Sequence, residues 1–191
     1  MTVEIDDKTL THFLVRSFSN VLGTARTPVK KPTVPGTRQS YFQEGALTYL
    51  ETVAGGATRS QTWVNVFTGT GDAQHIIWAM HIRTEIDAGA LERIRIPLAE
   101  ILTALQKFRA EGFLATLDDL RQGQRTSLFD IPDHEMKTVT GDGLAGVLDY
   151  VETITEDLDL FRGDERIQFR YDDKAYGRFK LYTAYFQGGR I

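Results

Sequence analysis

Gly45-Ala-Leu-Thr-Tyr-Leu-Glu-Thr-Val53 and Gly146-Val-Leu-Asp-Tyr-Val-Glu-Thr-Ile154 share five of nine residues at a constant offset of 101, and three of the other four are exchanges between apolar residues. Both stretches are rich in β-branched and aromatic residues, so each reads as a strand. Two further strand-like runs follow each copy and an amphipathic helix precedes it. The matched order of elements points to an internal duplication of a helix-plus-three-strand unit. The expected fold is α+β: an antiparallel sheet packed by helices on one face, its two related units joined by approximate two-fold symmetry. The units run over about 7–83 and 97–191, within a single domain covering 1–191.

The flanking segments support that order. Asp6 or Asp7 can cap a first helix whose apolar stripe is Leu10, Phe13, Leu14, Phe18, Val21 and Leu22, with Gly23 as its stop. Residues 24–38 hold three of the five prolines, four basic side chains and no acid, the composition of a long loop. Tyr41-Phe42 starts the strand region, followed by a turn at 43–45. Strands are expected over 46–53, 61–67 and 75–83; in the last of these Ile76, Trp78, Met80 and Ile82 alternate toward a core. Pro97 is a favourable first residue for a second helix running to about Glu111, with Leu98, Ile101, Leu102, Leu105 and Phe108 as its stripe. Residues 116–121 suggest a short helix, and His134–Val139 reads either as strand or as loop. Strands return over 146–155, 166–171 and 178–186. Ile167, Phe169 and Tyr171 face inward there, and Arg166, Gln168 and Arg170 face outward.

The composition narrows the chemistry. The chain has 191 residues, enough for a substantial core, and no cysteine, which removes disulfides, thiolate nucleophiles and cysteine-ligated metals. The N-terminus lacks a basic start followed by an apolar run, and no apolar stretch approaches the roughly 20 residues of a membrane span. A cytoplasmic location, with no membrane partner, is therefore expected. The net charge is −4, distributed as +2 over 1–83, −10 over 84–165 and +4 over 166–191. The acidic middle argues against a nucleic-acid surface across the molecule. Arg166, Arg170, Arg178 and Lys180 form a basic stripe on two neighbouring strands, read first as a solvated face that guards against edge pairing.

Four histidines, His12, His75, His81 and His134, are too scattered to predict a metal site. His75 and His81 share a strand but stand about 20 Å apart at strand rise. There is no Gly-x-Ser-x-Gly elbow and no phosphate-binding loop, so no cofactor is expected. The residue out of place is a glutamate. Leu47, Tyr49, Glu51 and Val53 share one strand face, as do Leu148, Tyr150, Glu152 and Ile154, so a carboxylate recurs on a face otherwise apolar and aromatic. Burying it demands a partner or a proton. An opposite core face, or pairing of each Glu with a neighbouring Arg, would explain the same pattern without a ligand.

The motifs Phe13-Leu-Val-Arg16, Tyr49-Leu-Glu-Thr with Gly55-Gly56, Trp78-Ala-Met80, Phe161-Arg-Gly-Asp-Glu-Arg-Ile167 and Tyr185-Phe-Gln-Gly-Gly-Arg-Ile191 resemble the bacterial family known as domain of unknown function 5680. The resemblance spans about 12–83 and 146–191. It implies a Gly-x-Glu element after the first double glycine as well as at Gly163-Asp-Glu165; this chain keeps only the latter and reads Arg59-Ser-Gln-Thr-Trp63 at the former. Similar domains follow DNA-binding segments in regulators, which implies ligand sensing.

These readings lead to a non-catalytic small-molecule binding or sensing domain with a cleft between its two units. Glu51, Glu152, Tyr49, Tyr150, Trp78 and Glu165 are the candidate ligand-binding residues. A hydrolase or isomerase using Glu51 or Glu152 as general base is the enzymatic alternative. A protein-interaction module, a homodimer formed through the sheet, is the third.

Overall fold

In the computed structural model, residues 5–21, 33–94, 97, 99–100, 134–154 and 158–191 are described. The sheet is continuous and antiparallel, so the α+β expectation holds, but it is larger than the sequence suggested. It has eight strands: β1 Arg38–Glu44, β2 Leu47–Gly55, β3 Arg59–Thr68, β4 His75–Ile86, β5 His134–Val139, β6 Ala145–Ile154, β7 Phe161–Tyr171 and β8 Arg178–Arg190. Their order is β1-β2-β3-β4-β8-β7-β6-β5. Each half is thus a four-stranded meander, not a three-stranded one. The halves meet where β4 and β8 pair, with Ile82 opposite Phe186 near the middle of the seam.

Helix α1 (Asp7–Asn20) starts where expected. Asp6 is its N-cap, and its carboxylate accepts the Thr9 backbone N–H at 2.8 Å. Leu10, Phe13, Leu14, Phe18 and Val21 are buried as their spacing predicts. Phe18 packs its ring against Tyr49 at 5.9 Å and Trp78 at 6.3 Å, which sets α1 over the first half of the sheet. A short helix absent from the sequence reading, α2 (Ala88–Ile94), follows β4 and contacts β8. Asp87 ties it down twice: its N–H donates to the Leu181 carbonyl at 2.9 Å, and its carboxylate accepts the Ala90 N–H at 3.0 Å. The expected helices over 97–111 and 116–121 and the first part of the expected loop over 24–38 fall almost wholly outside the described residues; the loop's last residue, Arg38, opens β1.

The core lies on the helix-bearing face of the sheet. Trp78, Met80 and Ile82 point into it, as do Ile167, Phe169 and Tyr171. Ile76 does not. A register shift between Val66 and Phe67 pairs Ile76 with Phe67, and Ile76 is left 36% exposed. The added residue resets the two-residue alternation, which pure periodicity cannot foresee. His134–Val139 resolves as a strand. β7 starts five residues earlier than expected, and β8 runs on through Gly188 and Gly189. Gly188 is required at the seam: a Cβ there would lie 2.8 Å from the Cα of Met80.

No helix among the described residues is long and apolar enough to cross a membrane.

Candidate functional site

A buried carboxylate held by two phenols is one feature of this core that apolar packing does not explain. Glu165 sits on β7 with its side chain facing the helices, only 1% exposed. The Tyr182 hydroxyl on β8 donates to its Oε1 at 2.7 Å, and the Tyr150 hydroxyl on β6 donates to its Oε2 at 2.8 Å. The ladder produces this arrangement. Ile167 pairs with both Tyr150 and Tyr182, placing a tyrosine on either side of β7 two residues along from Glu165. Diagonal neighbours at that spacing are within reach of an aromatic side chain. Both phenols are buried and each places its hydroxyl on the carboxylate, so the polar ends of two large aromatic residues are used at one point.

Glu152 is the residue directly opposite Glu165 in the β6–β7 ladder.

The other predicted residues separate from this cluster. Glu51 is buried on β2, 2% exposed, and accepts the Tyr49 hydroxyl at 3.2 Å. β2 and β7 are four strand steps apart, about 19 Å along the sheet, and β2 and β6 five steps, about 24 Å. Glu51 and Glu152 therefore flank the seam from a distance instead of lining one cleft at its axis. Tyr49, Glu51 and Tyr150 are buried. Trp78 is fully buried; its indole N–H donates to the Leu158 carbonyl at 3.1 Å, and its ring meets Phe161 at 5.7 Å. It joins β4 of the first half to the segment before β7, which is a packing role.

Tyr182 was missed as a site residue. The signal was present, since Tyr182, Ala184 and Phe186 alternate in phase on one strand and place that hydroxyl on the core face. Its convergence on Glu165 depends on β7 and β8 being neighbours, which requires the topology.

No group of three or more metal-ligating side chains occurs among the described residues. The basic stripe is partly neutralised: Arg170 Nε lies 3.1 Å from Asp149 across the ladder. Comparison of the chain with protein-family models, with curated proteins and with solved structures returned no match.

Proposed function

We propose that the chain is a non-catalytic small-molecule binding or sensing domain, and that its ligand is a small organic cation such as an amine. The site is the helix side of the second half of the sheet, around Glu165. The carrying observation is the buried Glu165 carboxylate, fixed by Tyr150 and Tyr182, with a second acidic residue opposite it in the ladder. Carboxylate and phenol rings together are suited to an ammonium group, through charge-assisted hydrogen bonds and the negative faces of the rings. On this reading the two meanders descend from a duplicated unit, and the second copy became the ligand-binding one. Glu165 occupies the ladder position that Val64 holds in the first: Val64 faces Glu51 and Glu165 faces Glu152. We also propose kinship with domain of unknown function 5680, whose Gly-x-Glu element corresponds to Gly163-Asp-Glu165. The buried glutamate belongs to that element.

The test is a thermal-stability screen of the full chain against primary amines, guanidines and matched neutral alcohols. An amine present at about 100 times its Kd is expected to stabilise the fold by about 2.7 kcal/mol, while its alcohol counterpart does nothing. Equal, negligible shifts for all three classes would remove the proposal and favour an interaction module.

A further inference from the structure

The opposite face of the sheet carries a second feature, which the reading above does not use. At the β2–β3 turn end of the first half, a trough of about 220 Å³ opens on the face away from the helices. The ladder explains its shape. Ala54, Gln61 and Arg83 form one cross-strand row on that face, flanked by Trp63 on one side and by Arg59 and Glu85 on the other. Ala54 is the short member of the row. The void is the space that a longer side chain on β2 would fill. Gly55 borders it and is fixed as glycine: its φ is +111°, and a Cβ would come within 2.5 Å of the Arg59 carbonyl oxygen.

The lining is aromatic and cationic. Trp63 is 40% exposed, unusual for an indole, and its orientation is set by stacking on His81 at 5.4 Å. A His81 ring nitrogen in turn lies 3.3 Å from the Gln61 amide oxygen, so the wall is braced before anything binds. Arg83 is steered from two directions, by the Tyr185 ring beneath its guanidinium at 5.5 Å and by Glu85 at 3.3 Å. Two guanidiniums and one carboxylate line the trough, which leaves it one positive charge in excess.

We propose that this trough binds a small aromatic carboxylate, its ring stacked on Trp63 and its carboxyl held by Arg83. The volume is below the usual range for drug-sized pockets and suits a compact one- or two-ring molecule. Stacking on an indole selects a flat ring, and a guanidinium presents the forked donors that match a carboxylate. The site is separate from Glu165, on the other face of the sheet, and does not depend on that assignment.

The chain has two tryptophans, one in the trough and one buried, so indole N–H NMR signals report the site with an internal control. Titration of the full chain with 1-naphthoate should move the Trp63 signal saturably below about 1 mM and leave Trp78 in place. The neutral 1-naphthamide and the Arg83→Met variant should each weaken binding by about tenfold or more. Ala54→Phe, which fills the trough and keeps every charge, should abolish the shift; Glu165→Gln should leave it unchanged. The proposal is overturned by the absence of saturation at Trp63 up to about 10 mM naphthoate. It is equally overturned by equal affinity for the amide, by an unaltered Arg83→Met titration, or by concentration-dependent broadening of Trp63 without ligand, which would make the face a contact between copies.

Discussion

Tyr182 on β8 places its hydroxyl 2.7 Å from Oε1 of Glu165 on β7, below the surface of the molecule and two residues out of register with it. A hydrogen bond to a buried carboxylate is worth more than one at the surface, and deleting the donor removes that bond while the carboxylate stays buried. Tyr182→Phe should therefore lower unfolding stability by about 1.5–3 kcal/mol with the ring packing intact. Urea denaturation measures this, and Tyr150→Phe should behave alike. The double variant should depart from additivity, because both hydroxyls serve one carboxylate.

Trp78 and Trp63 make a matched pair on opposite faces. Trp78→Ala removes a fully buried indole and one of the two donors to the Leu158 carbonyl, which keeps the Arg190 N–H, and should cost about 3–5 kcal/mol. Trp63→Ala acts at an exposed position and should change stability by no more than about 0.5 kcal/mol. A comparable loss in both variants would mean that the outer face of the sheet is as structurally committed as the core.

At the seam, Gly188→Ala introduces a methyl that meets the backbone and Cβ of Met80. Overpacking of this kind costs about 1–3 kcal/mol. The expected outcome is a lower denaturation midpoint; an unchanged midpoint would show that β4 and β8 can separate slightly at little cost.

Asp6 gives a pH prediction. The Thr9 backbone N–H, then the Thr9 hydroxyl, hold its carboxyl below the ordinary value for an aspartate. A depressed folded-state pKa adds stability that is complete above the unfolded value, about pH 4, and is lost as pH falls through the lower folded value. Asp142 is depressed in the same direction, chiefly by the Thr140 hydroxyl. Asp6→Asn keeps a good N-cap but cannot titrate. Its melting temperature should therefore fall less steeply than that of the unmodified chain below about pH 4. Parallel pH profiles would contradict the assignment of Asp6 as a charged cap.

Much of this structure is legible in the sequence. Helical spacing from Leu10 to Val21 and strand alternation through Trp78, Met80 and Ile82 carry it, because burial of one face enforces one period. The Tyr49-Leu-Glu51 alternation places a carboxylate on an otherwise apolar and aromatic strand face, and Glu51 is buried there. Three things lay beyond that reach. Gly163-Asp-Glu165 and Gly188-Gly189 contain weak strand formers, which the ladder holds extended through neighbours distant in sequence. The bulge at Val66/Phe67 changes the phase of Ile76 without any local mark in that strand. The order of strands decides which glutamate meets which tyrosine, and duplicated sequence suggested Glu51 with Glu152 where the sheet groups Glu165 with Tyr150 and Tyr182.

The most direct measurement of the central claim is calorimetric titration of the best stabilising amine into the unmodified chain, Glu165→Gln and Glu51→Gln. Recognition at Glu165 predicts at least about tenfold weaker binding for Glu165→Gln and an unaltered Kd for Glu51→Gln, four strand steps away. Equal affinity in all three proteins would contradict it.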